Sequence, residues 1–357
     1  MTKVLVVDDS ALMRRVLGEI LREAGFEVAT AKDGVDALAQ VETFAPDVVT
    51  LDVQMPRMDG LECLNRIMLE RPCPVVMVSS LTTQGAETTL TALELGAVDF
   101  VPKPDGAVSL AVDEFAPIMV DTVREAAKAR VRRSLRLLER VRAHRPSDLV
   151  MEPRPKRRRS SAGEALPGLV VLGTSTGGPP ALDTVLSALP DDFPWPILVA
   201  QHMPATFTRS LATRLDGLCA LPVTEVTGPT VIEAGQVYVA RGDADIVISR
   251  RRGELVALPA PSDTNLNWHP SVDRLVDSAM RTADPAGLIG VLMTGMGYDG
   301  AAAMTRLREQ GGRTIAESEE SAVVWGMPGE LVRAGGAEFI VPVEEIPSVL
   351  SRLAEPT

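Results

Sequence analysis

Val-Leu-Gly-Thr-Ser-Thr-Gly-Gly-Pro-Pro (171–180) joins a short apolar run to a glycine-bracketed serine and two prolines. The run reads as a buried strand, and Pro179-Pro180 suits the first turn of a helix, where no N–H is missed. A serine on such a Gly-x-Ser-x-Gly turn is held exposed, with backbone N–H groups of the next helix pointing at it. Working outward, Ile197–Ala200 and Leu288–Met293 are two more apolar runs, each ending in a Gly- or Pro-rich turn. His202 follows the first and Asp299 the second. Strand, turn and helix repeated in this way predict an α/β fold with a mainly parallel sheet, whose sites gather at the carboxyl ends of strands. Ordinary α/β-hydrolases run serine, acid, histidine, whereas this chain runs Ser175, His202, Asp299. It is either a different hydrolase fold or not a hydrolase.

The chemistry of the three groups is complementary. Ser175 beside a helix N-terminus is easier to ionise. His202 can take its proton and later deliver it to a leaving group, and Asp299 can orient the imidazole and stabilise its protonated form. Each has a plainer alternative. The Gly-rich turn can hold a phosphate or tighten a corner, His202 can be a satisfied histidine at a helix start, and Asp299 can cap a helix beginning at Ala301. Asp243 and Asp245 lie in a hairpin-like region and are less well placed as the acid.

Residues 1–116 alternate in the same manner. Val4–Val7, Val48–Leu51, Val75–Val78 and Phe100-Val101 read as strands, and Ser10 as the cap of a helix ending near Gly25. This is the pattern of a doubly wound parallel sheet. Asp8-Asp9, Asp52, Ser79 and Lys103 all fall at its strand ends. Three carboxylates together repel one another unless a hard cation such as Mg²⁺ is present. A carboxylate beside both a metal and Lys103 can accept a phosphoryl group, which Ser79 can then hydrogen-bond.

At 357 residues the chain has room for two domains, each with its own core. The net charge of -12 hides a basic stretch, residues 121–160, with 14 Lys or Arg against 5 Asp or Glu. Pro117 to His144 reads as a helix, through Met119, Val123, Ala127, Val131, Leu135, Leu138 and Val141. Arg145 to Pro167 is proline-rich and aperiodic, carries Lys156-Arg157-Arg158-Arg159, and reads as a linker. With no aromatic residue interleaved, the basic run argues for a solvated connector over a nucleic-acid surface. No apolar run approaches the ~20 residues of a membrane helix. Cys63, Cys73 and Cys219 lack metal-ligand spacing, so a reduced, cytoplasmic protein is expected, with the thiols as filler.

Asp8-Asp9, Leu-Asp-Val-Gln-Met-Pro-Arg-Met-Asp-Gly around Asp52, Ser79 and Val-Pro-Lys-Pro around Lys103 resemble a two-component receiver domain. The resemblance implies Asp52 as phosphoacceptor, Asp9, Asp52 and the Gln54 carbonyl as Mg²⁺ ligands with Asp8 close by, Ser79 and Lys103 as phosphate contacts, and Phe100 as the aromatic residue that reorients. Gly-Thr-Ser-Thr-Gly-Gly, Gln-His-Met-Pro, His-Pro-Ser-Val-Asp and Thr-Gly-Met-Gly-Tyr-Asp-Gly are similar to the chemotaxis protein-glutamate methylesterase domain. That resemblance implies removal of methyl esters from glutamyl residues of chemoreceptors, with methanol released, and deamidation of glutamines there. It implies Ser175 as nucleophile, His202 as base, Asp299 as orienter, and backbone N–H groups of Thr176 and Met296 in the oxyanion hole. Ester hydrolysis would need no cofactor, and a cognate histidine kinase and methyl-accepting chemoreceptors would be the partners. Nucleic-acid binding and membrane insertion are not expected. The expected domains are a receiver, 1–120, a basic helix and linker, 121–165, and a catalytic domain, 166–357. The alternative is a receiver driving a nucleic-acid-binding output through the basic linker, although no helix-turn-helix pattern is visible in 166–357.

Overall fold

The computed structural model describes residues 1–80, 82–103, 108–129 and 166–355; for Thr83 and 108–114 it describes the backbone alone. The chain divides into two compact units, Met1–Val150 and Met151–Thr357.

The first unit is a five-stranded parallel sheet flanked by helices. Its strands are β1 (Lys3–Val7), β2 (Glu27–Ala31), β3 (Val48–Asp52), β4 (Val75–Ser79) and β5 (Asp99–Pro102), in the order β2-β1-β3-β4-β5. β3 and β4 are buried along their whole length, as continuous apolar runs should be in a parallel sheet. β2 escapes the sequence pattern because it is an edge strand, exposed at Glu27 and Thr30. Ser10 caps the helix Ala11–Glu23 as expected, its side chain accepting from the Met13 N–H. The last helix of this unit, Val108–Ala126, differs from the expected Pro117–His144. It starts earlier, carries Pro117 inside it, and turns Phe115, Met119, Val123 and Ala126 inward. A proline within a helix removes one N–H and does not end it when such an apolar face is packed on a sheet. The helix also runs through position 120. The rest of the expected basic helix, from residue 130, and the Lys156–Arg159 run lie outside the described residues.

The second unit is built on a seven-stranded parallel sheet. Its strands are β6 (Leu169–Thr174), β7 (Ile197–Gln201), β8 (Val223–Val226), β10 (Val237–Ala240), β13 (Leu288–Leu292), β14 (Arg313–Glu317) and β15 (Phe339–Val341), ordered β15-β14-β13-β6-β7-β10-β8. A smaller antiparallel sheet joins β9 (Thr230–Val231), β11 (Asp245–Arg251) and β12 (Glu254–Ala260). The helix Val272–Thr282 packs on β11, where Ser278 Oγ accepts from the Ile248 N–H at 2.9 Å. Chain order is therefore not spatial order: β13 lies beside β6, with Leu292 paired to Gly173, and β7 lies on the other side, with Gln201 paired to Thr174. Three strand ends meet there.

Tyr238 is 1% exposed, and its hydroxyl accepts from the Glu233 N–H (2.8 Å) and donates to the Val231 carbonyl (3.1 Å). Tyr238→Phe is expected to lower the stability of the second unit by about 1–3 kcal/mol, the desolvation penalty of buried groups left unpaired. Urea denaturation should show a lower midpoint with an unchanged slope.

Candidate active site

The strand ends deliver the three side chains named from the sequence. Ser175 is the first residue past β6 and His202 the first past β7, and the register leaves them side by side. The His202 N–H donates to the Thr174 carbonyl at 3.1 Å. Asp299 follows the loop that leaves β13. His202 Nε2 and Asp299 Oδ2 are 2.8 Å apart, with both side chains buried.

Asp299 also accepts from Ser271 Oγ (3.1 Å), the Val272 N–H (2.7 Å) and the Asp273 N–H (3.0 Å). These donors form the N-terminus of the helix Val272–Thr282, where the backbone dipole favours an anion. Asp299 is thus bound by a helix start, though not that of the helix following it. Gly300 occupies the cap of Ala301–Glu309 without any side-chain bond. Burial alone would raise the Asp299 carboxyl; the His202 ring and the helix N–H groups outweigh it and hold the group below the usual range. An ionised acceptor obliges Nε2 to carry the ring proton. Nδ1 is then the lone-pair nitrogen, and it is buried with no hydrogen-bond partner among the described residues.

Ser175 is 8% exposed. Its N–H donates to the Thr294 carbonyl (3.0 Å), and Thr174 Oγ1 donates to the same oxygen (2.9 Å). Gln201 Nε2 and the Gly178 N–H both donate to the Ser175 carbonyl. The serine backbone is therefore fixed from both sides by its neighbours. Gly295 lies so close that a Cβ there would sit 2.7 Å from Ser175 Cβ. Of the two expected oxyanion groups, Thr176 is buried beside the serine, and Met296 follows Gly295 with an N–H that makes no hydrogen bond among the described residues.

Several residues take roles at this site that the sequence did not assign to them. Trp268 stacks on the His202 ring, centroids 6.1 Å apart and planes 7° from parallel, and Tyr298 meets Trp268 edge-on at 4.9 Å. Asp245 belongs to the site as a support. It accepts from His269 Nδ1 (2.9 Å), the Ser271 N–H (2.7 Å) and Arg274 Nη1 (2.7 Å), and so sits behind the groups that hold Asp299. The visible signal was Ser-Val-Asp (271–273), a capping pattern after a proline. In the first unit, burial pushes the Cys63 thiol up to about 12 and that of Cys73 to about 11, so both stay protonated near neutral pH.

In the first unit the oxygens of Asp8, Asp9 and Asp52 come within 4.8 Å of one another. Lys103 Nζ lies 3.0 Å from Asp8 Oδ2 and 2.8 Å from Asp52 Oδ2. Three carboxylates against one ammonium leave negative charge in excess, which suits a hard divalent cation. Burial raises the Asp52 carboxyl, with Lys103 working against it. Ser79 ends β4 beside this group, and its carbonyl accepts from the Lys103 N–H at 2.7 Å. Gln54 is exposed next to Asp52, its N–H directed at Asp52 Oδ1 from 3.4 Å.

A family model described as CheB methylesterase matches residues 170–350, and one for the response regulator receiver domain matches 4–111. The chain is 56% identical to "Protein-glutamate methylesterase/protein-glutamine glutaminase 2" of Rhodopseudomonas palustris, over 97% of this chain and 96% of that one. It is 53% identical to the similarly named protein 3 of Rhodospirillum rubrum, over 98% and 96%. The solved catalytic domain of Thermotoga maritima CheB methylesterase matches with a TM-score of 0.51 at 39% identity, covering 52% of this chain and 98% of that one.

Gly297 has φ +80, and a Cβ there would come within 2.5 Å of the Trp268 indole. Gly297→Ala is expected to cost roughly 1–2 kcal/mol from the left-handed backbone and to push the indole off the His202 ring. A lower melting temperature together with a changed near-ultraviolet circular dichroism band would report it; an unchanged band would mean the stack survives.

Proposed function

The chain belongs to the CheB methylesterase family, with a response regulator receiver domain in front, and from that premise we propose that it hydrolyses glutamyl methyl esters of chemoreceptors under control of receiver phosphorylation. Deamidation of receptor glutamines is the companion activity, since ester and amide cleavage share a tetrahedral intermediate and one oxyanion hole serves both. The observation that carries this reading is the convergence of Ser175, His202 and Asp299 at three neighbouring strand ends, with His202 Nε2 2.8 Å from Asp299 Oδ2. Asp299, kept ionised by a helix start, holds the proton on Nε2, which leaves Nδ1 of His202, without a hydrogen-bond partner among the described residues, as the nitrogen proposed to act on Ser175.

Ser175 Oγ attacks the ester carbonyl as His202 Nδ1 takes its proton. Backbone N–H groups of Thr176 and Met296 receive the charge that develops on the carbonyl oxygen. The tetrahedral intermediate collapses, the protonated ring gives its proton to the departing methoxide, and methanol leaves. Water, deprotonated by the same nitrogen, then attacks the acyl-serine. Its collapse frees the glutamate and returns the proton to Ser175 Oγ. No step calls on a cofactor.

Asp52 is the phosphoacceptor, with Ser79 and Lys103 as phosphate contacts. Mg²⁺, held by Asp9, Asp52 and the Gln54 carbonyl with Asp8 close by, would offset charge on the transferring phosphoryl group. A cognate histidine kinase supplies the phosphoryl group, and methyl-accepting chemoreceptors are the substrate. Among the described residues no helix is long and apolar enough to cross a membrane, and the proposed location is the cytoplasm. The domains proposed remain a receiver over 1–120, a basic connector over 121–165 and a catalytic domain over 166–357. The alternative nucleic-acid output finds no support in the relatives, which are named as esterases throughout.

With methylated receptor membranes as substrate, Ser175→Ala should cut methanol release by on the order of 10⁶-fold, and His202→Ala by nearly as much, because the two act as a unit. Asp299→Asn should leave a measurable remainder, roughly 10⁴-fold below the parent. Full activity in Ser175→Ala would overturn the esterase reading. Asp52→Ala should hold the intact protein at its unphosphorylated rate when a small phosphodonor is added. A chelator should abolish phosphotransfer while leaving the unphosphorylated ester hydrolysis rate unchanged.

A further inference from the structure

Glu317 is an unusual residue for the end of a central strand. It closes β14, is 1% exposed, and has no cationic partner among the described residues. Its two oxygens are both used as acceptors. Oε2 takes the Thr294 N–H at 2.7 Å, and Oε1 takes the Ser321 hydroxyl at 2.9 Å. Ser321 Oγ in turn accepts from the Val343 N–H. A buried carboxylate with two short donors, placed where any apolar residue would pack, is costly unless it positions something.

What it holds is the Thr294–Met296 strip. Thr294 is the residue through which the serine's backbone is fixed: its carbonyl receives the Ser175 N–H and Thr174 Oγ1, and its own hydroxyl donates to the Thr176 carbonyl at 2.8 Å. Gly295 accepts from the Gly326 and Met327 N–H groups, and the Gly295 N–H donates to Val324. The only donor of Thr294 not committed to these neighbours is its N–H, and Glu317 takes it. We propose that Glu317 is a positioning residue whose ionised carboxylate fixes the Thr294–Met296 strip, and with it the serine and the oxyanion groups, so that acidification slackens the site independently of His202. This rests on the esterase reading of Ser175.

The reason for pH dependence is the balance of donors and acceptors. A proton on Oε2 competes with the Thr294 N–H, which can only donate; one on Oε1 is met by rotation of the Ser321 hydroxyl and leaves Thr294 a neutral, weaker acceptor. Burial pushes this carboxyl up to about 7 even though the Thr294 N–H and the Ser321 hydroxyl favour the ionised form, and Glu344 adds like charge. The groups facing it are therefore the Thr294 amide from the loop after β13, the Ser321 hydroxyl from the turn after β14, and the Glu344 carboxylate beyond β15. Among these only Glu344 is itself charged.

The test is methanol release by the intact chain from methylated receptor membranes, with kcat/KM followed from about pH 5 to 9. If Glu317 must be ionised, the acid limb of log kcat/KM should be steeper in the parent, by one unit of slope near neutrality, than in Glu317→Gln, which keeps the shape of the side chain but not the titration. Its kcat should drop roughly tenfold at unchanged KM, a smaller loss than removing an oxyanion donor outright. A Glu317→Gln profile identical to the parent's overturns the proposal. Should that variant not fold, the Thr294 amide resonance of the intact parent decides: it should shift with a midpoint near neutrality, and a flat response rejects the coupling. Ser175→Ala in the same assay separates the two readings. Persisting methanol release there refutes the serine mechanism, whereas an inert Ser175→Ala beside an unaltered Glu317→Gln refutes only the positioning role.

Discussion

The geometry of the proposed catalytic face rests on one buried negative charge that is satisfied by the fold itself. Asp299 has three donors at a helix start besides the His202 ring. A desolvated carboxylate with fewer partners would protonate or pull water in. With them it stays ionised, dictates which imidazole nitrogen carries the proton, and leaves the other as the ring's lone-pair nitrogen. The support extends outward. Ser271 is held by Asp245, and Asp245 is shared with His269 and Arg274, which frame the segment carrying Trp268. An indole on the imidazole face then limits the ring's freedom from above.

The other half of the site, the strip behind Ser175, is organised by neutral backbone groups with a single acid among them. Relative to the ordinary value of 4.5, a Glu317 value of about 7 means that the folded state prefers the proton. The resulting stabilisation is fully present below the unfolded value and lost as pH rises through the folded one. At neutral and higher pH the ionised group costs up to about 3 kcal/mol relative to a solvated one. Groups that weaken the fold in the state in which they are used tend to mark function. The helix-bound Asp299 has the opposite sign: its lowered value stabilises the fold above the unfolded value and is lost as pH falls through the folded one.

Much of this was legible in the chain. Apolar runs ending in Asp52, Ser175 or His202 marked strand ends, because a strand buried on both faces is nearly continuous in Val, Leu and Ile. The three side chains at these strand ends, Ser175, His202 and Asp299, are the ones the turn chemistry singled out. What failed were features set by the third dimension. β2 has too little burial to show a pattern, and the helix at Val108–Ala126 hid behind an internal proline. Asp245 looked misplaced because a hairpin separates it in sequence from the helix start that it braces. Glu317 gave no signal at all, since a lone acid after an apolar strand is ordinarily a solvated strand end, and only the sheet order covers it. Trp268 could be read as a residue but not as a partner of the imidazole.

The placement of β13 has a consequence for how the molecule comes into being. β6 and β7 leave the ribosome as consecutive elements, with Ser175 and His202 already on adjacent strands. Asp299 arrives only after β8 to β12 have been made, and β13 must then dock on the far side of β6, closing contacts such as Thr174 to Thr294 across 120 residues. Such long-range parallel pairing is slow, because loop-closure entropy must be overcome before the contacts reward it. During synthesis the nascent chain holds a serine and an imidazole with neither the acid nor the Met296 strip. The proposed triad and oxyanion strip are thus incomplete until the C-terminal strands have joined the sheet.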